Sequence, residues 1–237
     1  MKLSIIIPVF NEKNTIVKLL DIIEEQKFVD KQIILVDDSS IDNSLNLIKE
    51  YKFKSEFKIL EHQKNEGKGA CIKTAKKHIT GDIVLIQDAD LEYNPEDYYK
   101  LLKPILENKT NVVYGSRVLN KKRYENKFFT SKIRIFFNHA LTIISNLINN
   151  QNLTDAHTCY KVFRKSLFDI IILKENGFSF CPEITSKISK LNEKIVEVPI
   201  EYIGRSYEEG KKIKLKDGIS ALLALIIYGI INKKNKL

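Results

Sequence analysis

Cysteine is scarce in this chain, and its placement excludes two kinds of small protein. The 237 residues include three cysteines, Cys71, Cys159 and Cys181, which are widely spaced and form no C-x-x-C pair. An odd number of distant cysteines argues against a disulfide framework and against a zinc site. The cysteine content therefore fits a protein of the reducing cytoplasm.

Several well-known binding motifs are also missing. No helix-turn-helix, zinc-finger or RRM signature occurs, so nucleic acid is the least favoured partner for the net charge of +9. Anionic membrane surfaces and phosphorylated ligands are the other partners that such a charge suits. The turn at residues 9–12 lacks a G-x-G-x-x-G pattern, which argues against a nicotinamide dehydrogenase.

Linkers, repeats and long hydrophobic runs are absent as well. No low-complexity tract marks a domain boundary, and 237 residues can bury the core of one α/β domain. Pro8 and Asn11 interrupt the apolar run near the N-terminus, which predicts a strand rather than a signal peptide. Residues 218–231 are uncharged, but as a helix they would reach ~21 Å against about 30 Å of bilayer hydrocarbon.

Short apolar runs alternate with helical patterns along most of the chain. Strands are predicted at residues 3–9, 32–36, 57–60, 83–86, 112–114, 159–163 and 195–200. Helices are predicted at residues 12–26, 42–51, 67–78, from 95 onward, 131–150 and 182–191. The alternation predicts an α/β fold, with a mostly parallel, doubly wound sheet and helices on both faces. We expect residues 1–217 to form one domain and residues 218–237 a C-terminal amphipathic helix.

A pair of carboxylates follows the fourth predicted strand. Asp88 and Asp90 come just after the apolar run 83–86. Ligands of open α/β sheets bind at the carboxyl ends of the strands, and two hard oxygen donors there suit Mg²⁺ or Mn²⁺ carrying a diphosphate. The alternative is a loop whose aspartates cap a helix.

Six short motifs occur in order, each at a strand end or in the turn that follows. They lie at residues 8–12, 36–42, 65–70, 81–92, 115–117 and 199–202. This ordered set resembles the family 2 glycosyltransferases with the GT-A fold, over about residues 3–218. It is most similar to the branch containing dolichol-phosphate mannosyltransferase and its bacterial polyprenyl-phosphate relatives. The resemblance implies a metal-dependent, inverting enzyme that transfers a hexose from a nucleotide sugar to a polyprenyl phosphate.

The resemblance and the residue types together suggest roles for individual positions. Residues expected to bind the nucleotide sugar are Pro8, Phe10, Glu12, Asp37, Asp38, Lys68, Asp88, Ala89 and Asp90. The metal is expected at Asp88, Asp90 and Glu92. The acceptor phosphate is expected at Arg117, Arg134, Arg205 and Lys211, with Lys212 as a further candidate. Catalytic roles are expected for Asp88, Asp90, Arg117 and Asp155.

Several of these positions have a structural alternative. Phe10 could pack in the core, and Glu12 could sit in the first turn of a helix, where the helix dipole favours a carboxylate. The basic segment 204–212 could be a solvated loop rather than one that closes over phosphates. Cys159 is predicted to be a small buried residue rather than a nucleophile, and His157 to be structural.

A phosphate acceptor changes what the catalyst must supply. A sugar hydroxyl has to lose a proton as it attacks, whereas a phosphate monoester already carries a charge of about −1.5 to −2. We therefore expect in-line attack at the anomeric carbon without a dedicated base, the protein providing metal, arginines and alignment. Two rivals remain: a family 2 transferase with a saccharide or glycan acceptor in cell-surface polysaccharide synthesis, and a catalytically inactive sugar-nucleotide-binding scaffold.

Lysines flank the uncharged run 218–231 on both sides. They are Lys211, Lys212, Lys214 and Lys216 before it and Lys233, Lys234 and Lys236 after it. Such flanks suit an anionic bilayer surface, at about 1 kcal/mol per well-placed lysine. We expect a cytoplasmic protein held peripherally on the cytoplasmic face of the membrane, with a helix packed on the domain as the alternative. The sequence leaves open GDP-mannose, UDP-glucose or UDP-N-acetylglucosamine as donor, the prenyl chain length and the oligomeric state.

Overall fold

A computed structural model describes residues 1–120, 132–205 and 215–231, with side chains from residues 135 and 217 onward in the last two ranges. The strands are β1 (Lys2–Val9), β2 (Asp30–Asp37), β3 (Glu56–Glu61), β4 (Ile83–Ile86), β5 (Val112–Ser116), β6 (Lys161–Arg164) and β7 (Ile195–Pro199). The helices are α1 (Ile16–Glu25), α2 (Ser44–Glu50), α3 (Lys68–Lys76), α4 (Tyr98–Leu106), α5 (Lys132–Asn149), α6 (Lys165–Ile170), α7 (Phe180–Lys190) and α8 (Leu215–Ala224). A π-helical turn, Leu225–Ile230, continues α8, and the two together are called the C-terminal helix.

The described strands form one seven-stranded sheet in the order β3-β2-β1-β4-β6-β5-β7. β1 pairs in parallel with β2 and β4, β2 with β3, and β5 with β7. β6 lies between β4 and β5 and is antiparallel to both. The predicted α/β fold with a mostly parallel sheet is confirmed. The direction of β6 and the short helix α6 are features that the sequence patterns did not predict.

Both faces of the central strands are covered, which is why their sequences are apolar rather than alternating. Ile5, Ile6 and Ile7 of β1 have no exposed surface, and neither do Leu85 and Ile86 of β4. A strand that is buried on both faces has a nearly continuous run of apolar residues in its sequence. The amphipathic helix α1 buries four regularly spaced apolar residues on this sheet: Ile16, Leu19, Leu20 and Ile23.

The direction of β6 decides which residues share an edge of the sheet. Because β6 runs opposite to its neighbours, the segment that precedes it, residues 155–160, lies at the edge where β4 and β5 end. The segments after β1, β2, β4 and β5 meet the segment before β6 at this edge.

The C-terminal helix packs on the domain with one face and exposes apolar residues on the other. It contacts α5 and α7 and buries Ala221, Ala224 and Leu225. The Tyr228 hydroxyl donates a hydrogen bond to Glu175 Oε1 at 2.8 Å. The exposed apolar residues of the C-terminal helix include Ile219, Leu223, Ile227 and Ile230. No helix among the described residues is both long and apolar enough to cross a membrane.

Candidate active site

A cavity of about 570 Å³ opens at the edge of the sheet where the parallel strands end. The predicted site residues that line it are Pro8, Phe10, Glu12, Asp38, Lys68, Asp88, Ala89, Asp90, Glu92, Arg117 and Arg205. Two predicted residues, Asp37 and Asp155, are buried but are not part of its lining. The side chain of Arg134 and the whole of Lys211 and Lys212 lie outside the described residues.

At the β1–β2 end of the cavity, Asp38 ties the end of β2 to the glycine loop before α3. Asp38 Oδ1 accepts a hydrogen bond from the amide of Glu66 at 2.9 Å, and Oδ2 accepts one from the amide of Gly67 at 2.8 Å. Asp37 Oδ2 accepts a hydrogen bond from the Ser40 amide at 3.0 Å and so stabilises the turn after β2. The structure thus gives both aspartates a part in shaping this end of the cavity.

Asp38 also belongs to a buried cluster with His62 and Cys71. Among the described residues, this is the group that brings three possible metal ligands within 4.8 Å of one another. His62 Nδ1 is 2.8 Å from Asp38 Oδ1, and His62 Nε2 is 2.9 Å from Thr74 Oγ1, so both ring nitrogens are engaged. Burial, together with Asp38, raises the pKa of the Cys71 thiol. A neutral thiol and a doubly hydrogen-bonded imidazole are poor metal ligands. We therefore interpret the cluster as a structural one that holds Asp38 in place.

In the middle of the cavity, each of the predicted metal-binding carboxylates lies beside a protein cation. Lys68 Nζ is 2.5 Å from Asp88 Oδ1 and 3.2 Å from Cys159 Sγ. Arg205 Nη2 is 3.2 Å from Asp90 Oδ2, and the Arg205 amide donates to Glu92 Oε1 at 2.9 Å. Two different cations therefore contact the acidic motif, one on Asp88 and the other on Asp90 and Glu92.

The charge balance of the acidic motif suits a divalent cation. Burial and the neighbouring carboxylates of Asp88 and Glu92 raise the pKa of Asp90 to about 7. Three carboxylates therefore lie close together in a buried place, which favours a proton or a cation there. Three hard oxygen donors in such a place fit Mg²⁺ or Mn²⁺. In the described structure their oxygens are not assembled into a ready triad, because that closeness is found only for the Asp38 cluster.

At the opposite end of the cavity, Arg117 and Asp155 form a buried bidentate ion pair. Arg117 Nε and Nη2 donate to the two carboxylate oxygens of Asp155 at 2.7 and 2.8 Å. Burial alone would raise the pKa of Asp155, but the Arg117 guanidinium holds it below its usual value. The Arg117 guanidinium also lies 5.1 Å from the centre of the Tyr202 ring. The structure therefore joins two predicted residues that are distant in sequence, and fixes Arg117 in the cavity wall.

A buried lysine holds the loop that carries His157. Lys161 is fully buried in β6, and its Nζ donates to the carbonyl oxygens of Ala156 and Thr158, on either side of His157, at 3.3 and 2.5 Å. His157 lines the cavity, and its Nε2 is buried without a hydrogen-bond partner among the described residues. Burial and the nearby Lys161 lower the pKa of His157 to about 4, so the imidazole is neutral at neutral pH.

Several side chains of this end were not among the predicted site residues. Tyr93 accepts a hydrogen bond from the amide of Cys159 at 3.0 Å. Glu197 Oε1 accepts one from the amide of Asp155 at 2.9 Å, which fixes the backbone of the ion pair. The one sequence signal for these residues was a lysine, Lys161, within an apolar strand, because a buried lysine needs a partner.

Comparison with known proteins places the chain in a family. The sequence pattern of "Glycosyl transferase family 2" matches residues 4–171. This chain belongs to glycosyltransferase family 2, and its fold is the GT-A fold. The predicted resemblance is confirmed.

Among curated relatives, a UDP-N-acetylglucosamine–dolichyl-phosphate N-acetylglucosaminyltransferase of Methanococcus voltae is 28% identical over 94% of each chain. A dolichyl-phosphate beta-glucosyltransferase of Trichomonas vaginalis is 29% identical over 98% of this chain and 74% of its own. A dolichol-phosphate mannosyltransferase of Pyrococcus furiosus is 27% identical over 89% of this chain and 59% of its own.

Solved structures share the fold at lower sequence identity. Glucosyl-3-phosphoglycerate synthase of Mycobacterium tuberculosis, in complex with Mn²⁺, UDP and glucosyl-3-phosphoglycerate, has a TM-score of 0.70 at 16% identity and covers 96% of this chain and 80% of its own. S. aureus TarS 1–349 in complex with UDP has a TM-score of 0.66 at 20% identity, covering all of this chain and 67% of its own.

Proposed function

We propose that this chain is an inverting glycosyltransferase that moves a hexose from a nucleotide sugar to a polyprenyl or dolichyl phosphate. The observation that carries the proposal is the row of Asp88, Asp90 and Glu92 across the middle of a cavity at the ligand-binding edge of the sheet. The three curated relatives named above support the acceptor class, because each is named for transfer to dolichyl or dolichol phosphate.

The order of the strands suggests how the substrates lie. The β1–β2 end of the cavity, with Phe10 and Asp38, would take the nucleoside, and the β5–β6 end, with Arg117 and His157, would take the hexose and the acceptor phosphate. Asp88, Asp90 and Glu92 would hold Mg²⁺ or Mn²⁺ between them. When bound, this ion would neutralise charge on the departing diphosphate.

The state of Asp155 supports attack by the acceptor phosphate without a general base. Both its oxygens accept hydrogen bonds from Arg117, and its pKa lies below the usual value, so it is a weak base at neutral pH. Its role would be to position Arg117 against the phosphate. If Asp155→Asn, correctly folded and with both substrates still bound, had no turnover, a direct proton-transfer role for Asp155 would have to be reconsidered.

An apolar surface on two contacting helices supports membrane association. On α5, the apolar residues Phe136, Phe137, Ile143 and Leu147 are exposed. Helix α5 contacts the C-terminal helix, which also exposes apolar residues. We propose that these two helices lie on the cytoplasmic face of the membrane, where the acceptor phosphate is reached.

Flotation of the full chain with anionic vesicles tests this surface. Leu147→Ser combined with Leu223→Ser should reduce flotation, because both side chains are exposed and lie on the two helices. Ile172→Ser, at an exposed apolar residue between α6 and α7, is the matched control and should float as the wild type does. Undiminished flotation of the double variant would remove these helices from the membrane surface.

The reaction itself is tested with a panel of donors and acceptors. GDP-mannose, UDP-glucose and UDP-N-acetylglucosamine are each incubated with undecaprenyl or dolichyl phosphate and Mg²⁺ or Mn²⁺, and lipid-linked sugar is extracted and counted. We expect turnover with one donor, and a loss on the order of 100-fold in Asp90→Asn. Transfer to saccharides alone would favour the glycan-acceptor rival, and donor binding without any transfer would favour the scaffold.

A further inference from the structure

Arg205 joins the two sides of the cavity through three carboxylates. Its Nη1 and Nη2 lie 3.0 and 3.1 Å from the two oxygens of Glu12, which follows β1. Nη2 is also 3.2 Å from Asp90 Oδ2, and Nε is 3.7 Å from Glu92 Oε1, both after β4. Among the described residues, Lys68, the other cation of the acidic motif, forms an ion pair with Asp88.

The guanidinium and a divalent cation would neutralise the same oxygens. A Mg²⁺ ion lies ~2.1 Å from each oxygen ligand. Arg205 Nη2 lies 3.2 Å from Asp90 Oδ2. An ion bound to that oxygen would therefore lie at most about 5 Å from Nη2. Two cations this close in a partly buried site repel each other strongly. The metal and Arg205 in its present position therefore compete for Asp90 and Glu92.

A nucleoside diphosphate would remove this conflict. Its phosphate oxygens would offer the planar guanidinium fork a new bidentate partner, which arginine binds better than lysine does. The Arg205 side chain lines the cavity and is 19% exposed, so such a partner would reach it from the cavity.

We propose that Arg205 is an exchangeable counter-ion that makes binding of the divalent cation depend on the nucleotide diphosphate. Without nucleotide, Arg205 neutralises Glu12, Asp90 and Glu92 and keeps the affinity for metal low. With nucleotide, Arg205 moves to the diphosphate and releases the carboxylates to the metal. The inference rests on the proposed function, because it takes Asp90 and Glu92 as metal ligands and a nucleoside diphosphate as their shared partner.

Mn²⁺ binding to the full chain, measured by electron paramagnetic resonance of the free ion, tests the exchange. In the absence of nucleotide, Arg205→Gln should bind Mn²⁺ about fivefold or more tightly than the wild type. With saturating UDP or GDP, whichever the wild type binds, the two proteins should differ by less than about twofold, since Arg205 no longer competes. Lys103→Gln removes the same charge from an exposed position on α4 and should leave Mn²⁺ binding unchanged.

The outcomes separate the exchange from the metal site itself. If the wild type binds Mn²⁺ with nucleotide but Arg205→Gln binds the ion alone no more tightly than Lys103→Gln does, the exchange is overturned and the metal site stands. If the wild type binds no Mn²⁺ with either nucleotide, both fail. Should Arg205→Gln not fold, Arg205→Lys serves instead, and unchanged Mn²⁺ affinity in that variant overturns the exchange, because a lysine cannot span three carboxylates.

Discussion

Arg117 and Arg205 line the same cavity, but within the part of the chain that the structure describes they contact different numbers of carboxylates at different distances. Arg117 makes two hydrogen bonds of 2.7 and 2.8 Å to the single carboxylate of Asp155, and the two side chains are 9% and 5% exposed. Arg205 spreads over three carboxylates at 3.0 to 3.7 Å and is 19% exposed. One arginine is bound to a single carboxylate in the wall of the cavity, whereas the other divides its longer contacts among three carboxylates, which is the basis for proposing that a ligand replaces them.

The difference follows from how each arginine is surrounded. Asp155 matches the Arg117 fork with both oxygens, and its own amide is held by Glu197, so the pair is ordered before any ligand arrives. Around Arg205, the described residues bring three carboxylates to one guanidinium, and burial together with the acidic neighbours raises the pKa of Asp90 to about 7. A preorganised cation suits alignment of a phosphate, and a cluster of buried carboxylates suits a metal.

The largest expected effect comes from breaking the fixed pair. Asp155→Ala removes the carboxylate that accepts two hydrogen bonds from the buried Arg117 guanidinium, and we expect a loss of about 3–5 kcal/mol in the free energy of unfolding. Urea denaturation followed by circular dichroism measures it. Asp155→Asn, which keeps an oxygen acceptor, should lose less. A loss below about 1 kcal/mol in Asp155→Ala would mean that Arg117 finds another partner and is not fixed as the structure indicates.

A second prediction concerns the end of the cavity that holds Arg117 and Asp155, and it uses the pH dependence of stability. Burial and the neighbouring Lys161 lower the pKa of His157 to about 4, whereas an unfolded histidine has a pKa of about 6.5. The stability that His157 contributes as a neutral ring is therefore complete above about pH 6.5 and declines as the pH falls toward 4. We expect a loss of about 2 kcal/mol between pH 7.5 and pH 5.

His157→Gln isolates this contribution, because glutamine does not titrate. The difference in free energy of unfolding between pH 7.5 and pH 5 should shrink by the amount assigned to His157, in urea denaturation at both pH values. His78 follows α3 and does not line the cavity, and burial together with Lys58 and Lys77 lowers its pKa as well. His78→Gln is therefore the control for removing a titrating histidine outside the cavity. An unchanged pH dependence in His157→Gln would place the imidazole in a more solvated environment than the cavity wall.

The sequence patterns predicted the strands well and one strand direction not at all. Short, partly β-branched runs bounded by polar residues located β1 to β5 and β7 to within about two residues, which is the usual uncertainty of strand boundaries. The antiparallel direction of β6 was not predictable from its residues, because an apolar run does not specify which neighbours it pairs with. Helix α6 has six residues, too few to show a helical period.

For the site, the sequence predicted which residues lie at one edge of the sheet, but not which of them pair. Polar residues after strand ends are brought together by the parallel topology, so a motif pattern can locate them. Arg117 and Asp155 are 38 residues apart, and Arg205 and Glu12 are 193 apart. Arg117 and Arg205 were both predicted to bind the acceptor phosphate, and nothing in their sequence surroundings distinguishes a fixed ion pair from an exchangeable one. Their functional roles remain predictions.

The smallest expected effect concerns Arg205, and it tests whether Arg205 is held less firmly than Arg117. Arg205→Gln should cost no more than about 1 kcal/mol in free energy of unfolding at neutral pH, measured in urea as for Asp155→Ala. The loss stays small because Asp90, whose pKa is already about 7, can take up a proton when the guanidinium is removed, which relieves the repulsion among Glu12, Asp90 and Glu92. A cost approaching that of Asp155→Ala would mean that Arg205 is as firmly held as Arg117. A diphosphate could then not draw it away, and the exchange with a metal ion would lose its physical basis.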